Sequence, residues 1–135
     1  MLKGSCICGA VQFELTGEPL GTFLCHCVPC HKCAGANGST NIIVDAQDFR
    51  QTGETRSWAR KGLSGGDVVY NSCAACPTIV VVRAAVMPGQ LIVRSGLLDS
   101  AADIERLPPQ VELFVKDRID DWCERGSGVV LKEIG

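Results

Sequence analysis

The chain has 135 residues, with 13 basic and 15 acidic side chains that give a formal net charge of −2. This balance lacks the basic excess expected of a protein that binds nucleic acid or an anionic membrane. Hydrophobic residues make up 46% of the chain, which excludes a disordered protein and favours one domain over residues 1–135 with a substantial core.

Short β-strands dominate the predicted secondary structure. Val11, Phe13 and Leu15 alternate with polar residues over 10–16, a period typical of a half-buried strand. The same kind of pattern, with β-branched enrichment, predicts further strands at 22–27, 39–45, 54–60, 67–72, 77–86, 90–96 and 110–116. Turns are predicted at 45–49 and 87–90, and a mobile glycine-rich loop at 61–66.

One helix is predicted over residues 99–107, with Asp99 or Ser100 as its N-cap. The Pro-Pro pair that follows ends this helix. Residues 117–122 are predicted to form a turn or a short helix, and the tail is expected to add a last strand. Together these elements indicate a mainly β fold with short helical pieces.

Eight of the nine cysteines fall into short-spaced groups. The groups are Cys6-x-Cys8, Cys25-x-Cys27-x2-Cys30-x2-Cys33 and Cys73-x2-Cys76, whereas Cys123 stands alone and is expected to be a small buried hydrophobic residue. Neither a signal-peptide stretch nor an apolar run of about 18 residues is visible, which predicts a cytoplasmic protein. In a reducing compartment, dense cysteines indicate metal binding or catalysis rather than disulfides.

Cysteine pairs of this spacing are typical of zinc sites, because two thiolates from one turn can each reach one ion at about 2.3 Å. We therefore expect two Zn²⁺ ions per chain. A closed structural site would use four thiolates, those of Cys6, Cys8, Cys73 and Cys76. A second site of Cys25, Cys27 and Cys30 would keep an open position, the arrangement typical of catalytic zinc, unless Cys33 is its fourth ligand. The spacing alone equally allows the first two groups to share one ion.

The order of these groups resembles the glutathione-dependent formaldehyde-activating (GFA) family, whose domain is shared with centromere protein V. The opening "GSCICGAVQFELTGEP", the central "CHCVPCHKCAGA", the later strand "LIVRSGLLD" and the closing "PPQVELFVKDRIDDW" all resemble family segments. The resemblance covers about residues 4–122. In this sequence Cys33 occupies a position where the family usually has a small residue other than cysteine.

The resemblance implies a β-tent fold of several small coiled antiparallel sheets with short helical turns, held together by zinc. It implies a structural zinc on the first and last cysteine pairs, and a second zinc with an accessible position on Cys25, Cys27 and Cys30. The implied activity is that of a carbon–sulfur lyase, which condenses glutathione with formaldehyde or reverses that reaction. The implied partner is a small-molecule thiol or thiol adduct such as glutathione.

Two histidines beside the central cysteines are candidates for proton transfer, because histidine titrates near neutrality. They are His26 and His31, although His26 lies between two ligands and is expected to point away from the metal. Arg94, Lys116 and Arg118 are candidates for contact with substrate carboxylates, against the simpler interpretation as solvated surface charges. Trp122, at the family's closing aromatic position, is expected to pack.

Two other classes of function are compatible with the same residues. In a non-catalytic binding module, zinc would only stabilise the fold and Cys33 would close the second site. In a thiol redox protein, Cys30 and Cys33 would cycle through a disulfide. The number of metal ions and of ligands at each ion distinguishes these classes. A homodimer is also compatible with the exposed strand edges that such a fold leaves.

Overall fold

The computed structural model of the protein describes residues 1–120 and 128–134, so Trp122 and Cys123 lie outside the described residues. Strands make up most of the regular structure, as predicted. In chain order they are β1 Leu2–Ser5, β2 Gln12–Leu15, β3 Gly21–Cys25, β4 Ser39–Asp45, β5 Phe49–Thr52, β6 Thr55–Lys61, β7 Asp67–Cys73, β8 Ile79–Ala84, β9 Gln90–Arg94, β10 Val111–Leu113 and β11 Val130–Leu131. The helices are α1 Val28–Ala34 and α2 Ala101–Glu105, with 3₁₀ helices at Ser95–Leu97 and Val115–Asp117.

The strands form two sheets of unequal size. The small sheet has the order β1-β2-β5, and the large one has the order β11-β10-β3-β4-β9-β8-β7-β6. Most neighbours are antiparallel, as the resemblance implies, but β10 runs parallel to both β3 and β11. A parallel pair needs a long crossover rather than a hairpin, and here both α-helices and six strands intervene between β3 and β10 along the chain.

The main core lies between the two sheets. Alternate residues of a strand point to opposite faces, so one face of β4 and β9 supplies this core. The buried residues that pack together there are Leu2, Cys6, Val11, Phe13, Leu15, Ile42, Val44, Phe49, Cys73, Val80, Val81, Leu91, Val93 and Leu98. On the other face of the large sheet, Asn41 and Arg94 are register partners. That second face carries the polar residues described below.

The predicted helix is confirmed as α2, and its N-cap is Ser100, whose hydroxyl accepts a hydrogen bond from the Asp103 amide. The strands β1 and β5 and the helix α1 were not predicted. The 3₁₀ helices Ser95–Leu97 and Val115–Asp117 begin inside segments that were predicted as strands. The predicted loop at 61–66 is the tight connection of the β6–β7 hairpin, where the Gly62 amide donates to the Gly66 carbonyl. Among the described residues, no helix is long and apolar enough to cross a bilayer.

Candidate metal centres and adjoining cleft

The structure brings Cys6 and Cys8, in the turn after β1, together with Cys73 and Cys76, at the end of β7 and in the turn beyond it. These four sulfurs, the first cysteine cluster, lie within 4.8 Å of one another. The Sγ–Sγ distance is 3.5 Å between Cys6 and Cys8 and 3.8 Å between Cys8 and Cys73. Sulfurs held tetrahedrally at about 2.3 Å from one ion are about 3.8 Å apart, whereas a disulfide is about 2.05 Å long. The first cysteine cluster could therefore hold one metal ion.

Backbone amides point at the sulfurs of the first cysteine cluster. The Val11 amide donates to Cys6 Sγ at 3.3 Å, and the Ala75 amide donates to Cys73 Sγ, also at 3.3 Å. The Val11 amide lowers the pKa of the Cys6 thiol, since a hydrogen bond to the charged form favours that form. Both turns are thus shaped to hold deprotonated sulfur, the form that binds metal.

Thr78 ties the two turns of the first cysteine cluster together. Its hydroxyl oxygen lies 3.2 Å from Cys76 Sγ and accepts a hydrogen bond from the Ile7 amide at 3.2 Å. The hydroxyl lowers the pKa of Cys76 to about 6. Cys8 receives a backbone hydrogen bond, but the neighbouring Cys6 sulfur raises its pKa to about 11. Adjacent sulfurs resist simultaneous ionisation, so a cation is needed to hold all of them as thiolates.

A second group of three buried sulfurs, the second cysteine cluster, forms where β3 passes into α1. Cys25 ends β3, Cys27 is the N-cap residue of α1, and Cys30 lies inside the helix. Pro29 suits the first turn of a helix, where its missing N–H costs nothing. Hydrogen bonds from Cys25 and Cys27 lower the pKa of Cys30, while the Cys27 and Cys30 sulfurs raise that of Cys25. Three adjacent buried sulfurs resist simultaneous ionisation, and a metal cation would hold them as thiolates.

Cys33 lies one helical turn beyond Cys30. Among the described residues, the second cysteine cluster contains Cys25, Cys27 and Cys30 but not Cys33. Its sulfur accepts a hydrogen bond from Arg94 Nη2 at 3.3 Å and donates to the Cys30 carbonyl at 3.7 Å. Desolvation raises the pKa of its thiol. The structure therefore groups three sulfurs, and it places Cys33 beside a guanidinium.

His26 is buried and points from the second cysteine cluster toward β10. Its Nε2 lies 2.6 Å from Glu112 Oε1, and Arg118 Nη1 lies 3.4 Å from the same oxygen. The His31 ring lies edge-on to that of His26, with 6.3 Å between centroids. Among the described residues, neither His26 Nδ1 nor His31 Nε2, both buried, has a hydrogen-bond partner.

A cleft of about 370 Å³ lies between the two cysteine clusters. From one side it is lined by Ile7 and Thr78 of the first cysteine cluster's turns, and from the other by Cys33, Ser39 and Arg94. Of the three cationic candidates, only Arg94 lines this cleft, because Arg118 pairs with a buried carboxylate and Lys116 is exposed elsewhere on the chain.

Sequence reasoning missed several polar residues near the second cysteine cluster. Ser39 hydrogen-bonds to Cys30, and buried Asn41 donates to Ser39. Arg60 donates to the Tyr70 hydroxyl at 2.9 Å, and this hydrogen bond raises the pKa of Arg60 against the lowering effect of desolvation. The period-2 pattern of the strands could have placed Asn41 and Tyr70 on one face, but not beside the cysteines.

Gly38 holds the chain close to the second cysteine cluster and has a φ of +85°. A Cβ there would lie 2.4 Å from the Cys25 carbonyl oxygen and 3.3 Å from His26 Nδ1. We expect Gly38→Ala to lose metal from one site and to unfold at lower denaturant. Gly65→Ala is the matched control, because its φ of +82° is similar but the space around it is open, so only the left-handed cost of about 1–2 kcal/mol applies. Equal unfolding midpoints and metal contents for the two variants would contradict this.

Comparison with known proteins identifies the family. The profile of the family described as "Glutathione-dependent formaldehyde-activating enzyme" matches residues 1–117. The chain belongs to this family. A Halomonas elongata relative of the same family, named "Putative glutathione-dependent formaldehyde-activating enzyme", is 30% identical over 129 residues, which cover 92% of this chain and 80% of that protein.

The chain also resembles a solved structure in its fold. The crystal structure of a Rhodobacter sphaeroides protein matches with a TM-score of 0.59 and 20% sequence identity, covering 78% of this chain and 97% of that one. At this identity the likeness concerns the fold alone. The family match and the two cysteine clusters agree with the resemblance that the cysteine spacing suggested.

Proposed function

We propose that this protein is a zinc-dependent enzyme of the carbon–sulfur lyase type, which joins a small thiol to formaldehyde or a similar aldehyde, or splits that adduct. The observation that carries the proposal is the second cysteine cluster, three buried sulfurs grouped near an open cleft. The family name supports glutathione as the thiol. A zinc ion bound there supplies a Lewis acid that favours the thiolate form of a neighbouring thiol.

In this proposal the two cysteine clusters have different tasks. Four thiolates complete a tetrahedral shell, so Cys6, Cys8, Cys73 and Cys76 would hold a structural zinc. Three thiolates leave a position for an outside ligand, so Cys25, Cys27 and Cys30 would hold the zinc of the reaction. The cleft would admit the substrate thiol to the second site and limit the water around it.

The condensation moves one proton and needs no oxidant. The thiol loses its proton, the sulfur forms a bond to the aldehyde carbon, and the aldehyde oxygen receives a proton to become the hydroxyl of the adduct. His26 and His31 are the candidates to carry this proton, because each keeps one buried ring nitrogen without a partner among the described residues, Nδ1 of His26 and Nε2 of His31. The other ring nitrogen of His26, Nε2, is engaged by Glu112.

The direct test is exchange between free and adduct forms of glutathione. We expect protein with two zinc ions per chain to accelerate the interconversion of glutathione and S-hydroxymethylglutathione, measured by NMR exchange at equilibrium with formaldehyde. Protein stripped of metal by a chelator should not, and restored zinc should restore the rate. An exchange rate equal to that of the buffer with fully zinc-loaded protein would refute the proposed reaction.

A further inference from the structure

The cleft between the two cysteine clusters has an unbalanced charge. Among the described residues that line it, Arg94 is the one ionised side chain, and no aspartate or glutamate is present. Its other polar lining includes the hydroxyls of Ser39, Thr40 and Thr78. A concave surface with one cation and several hydroxyl groups favours a ligand that carries a negative charge.

Arg94 is held in place without being neutralised. Its Nη1 donates to Asn41 Oδ1 at 2.7 Å, and its Nη2 donates to Cys33 Sγ at 3.3 Å. Asn41 is buried and is itself fixed by donating from Nδ2 to the Ser39 carbonyl and hydroxyl. An amide oxygen orients a guanidinium but leaves its full charge, whereas a carboxylate partner would cancel that charge. No ion pair of Arg94 occurs within the described part of the chain.

The guanidinium is also close to the second cysteine cluster. Cys33, which it contacts, is three residues from Cys30 on α1, and side chains at that spacing are about 5–6 Å apart. A ligand with its sulfur at the cluster can therefore place an anionic group at Arg94.

We propose that Arg94 is a specificity-determining residue that binds a carboxylate of the substrate thiol, so that the protein favours thiols that carry a carboxylate over neutral thiols. This inference rests on the proposed function, since it assumes that a thiol enters the cleft. Arginine suits the task because its planar fork donates two parallel hydrogen bonds to a carboxylate. Neutral thiols of the same length lack this contact.

The test compares two thiols by isothermal titration calorimetry on zinc-loaded protein, 3-mercaptopropionate and the neutral 3-mercapto-1-propanol. We expect the wild-type protein to bind the carboxylate about tenfold more tightly, in line with a charge-assisted hydrogen bond. In Arg94→Gln the preference should vanish while the affinity for the alcohol is unchanged. Arg83→Gln is the matched control, because Arg83 also donates to an asparagine Oδ1, that of Asn71, away from the cleft.

A second variant keeps the arginine and gives it a charged partner. The change also removes the Nδ2 donor of Asn41 to Ser39, so circular dichroism first checks that the variant folds. Asn41→Asp gives Arg94 a permanent carboxylate partner at the position of the amide, so it should also abolish the preference for the acidic thiol. Equal affinities of the two thiols for the wild-type protein, or a preference retained in either Arg94→Gln or Asn41→Asp, would overturn the assignment. Acceleration of glutathione exchange without a preference for the acidic thiol would support the proposed reaction and refute the carboxylate site. A preference for the acidic thiol without acceleration of exchange would support the carboxylate site and refute the proposed reaction.

Discussion

Replacing Cys30 by alanine should remove one of two zinc ions and reduce the thiol–aldehyde exchange rate by about three orders of magnitude. The size follows from the several kcal/mol of charge stabilisation that a metal centre supplies, at about 1.4 kcal/mol for each factor of ten. The first cysteine cluster is untouched by this change, so the variant should keep most of its folded structure. Zinc content by elemental analysis, circular dichroism and the NMR exchange rate measure the three effects separately.

Cys33→Ala is the matched control for this experiment, because it removes a sulfur from the same helix three residues away. Cys33 lies outside the second cysteine cluster, so this variant should keep both zinc ions and a measurable exchange rate. If Cys33→Ala loses a zinc ion, Cys33 is a ligand and the non-catalytic binding module gains support. If Cys30→Ala loses its zinc but still accelerates exchange, that metal is not catalytic.

Replacing Cys8 by serine should destabilise the whole fold, although Cys8 is exposed and packs against little. A structural zinc contributes apparent folding free energy of order 10 kcal/mol, comparable with the total stability of about 5–15 kcal/mol of a domain. Its loss would separate the turn after β1 from the end of β7, which the sulfurs hold together. We expect the melting temperature to fall by about 10 °C or more, measured by circular dichroism with zinc present.

Cys33→Ser serves as the control for this second prediction, since Cys33 is also an exposed cysteine and lies outside both clusters. Its melting temperature should stay near that of the wild-type protein. An excess of a zinc chelator should lower the melting temperature of the wild-type protein to that of Cys8→Ser. A Cys8→Ser protein that melts with the wild type and keeps two zinc ions would show that the first cysteine cluster does not stabilise the fold through metal.

The elements that sequence predicted well are those whose pattern is strong over several residues. The strand predicted at 39–45 is β4, because β-branched residues there alternate between two faces. The helix α1 was missed, because three of its seven residues, Cys30, His31 and Cys33, were interpreted as a metal-binding motif and not as helix. The four-residue strands β1 and β5 were missed, because a run that short gives little periodicity.

The candidate site was predictable as a set of cysteines but not as an arrangement. Spacing allowed the first two cysteine groups to share one ion. Only the packing of the small sheet, which contains β1, against the large sheet, which contains β7, pairs Cys6 with Cys73. Asn41 and Arg94 are 53 residues apart and meet because β4 and β9 are neighbours in register. Contacts of this kind depend on tertiary pairing, which one sequence does not contain.

The position of Ile7 bears on which ligands the cleft between the two cysteine clusters could accept. It lies between Cys6 and Cys8, is 82% exposed, and lines the cleft together with Thr78. Its amide, not its side chain, makes the hydrogen bond to Thr78, so the side chain can vary without disturbing that contact. If the cleft binds the substrate as proposed, a substitution at position 7 would change the shape of its wall without moving the cysteine sulfurs on either side.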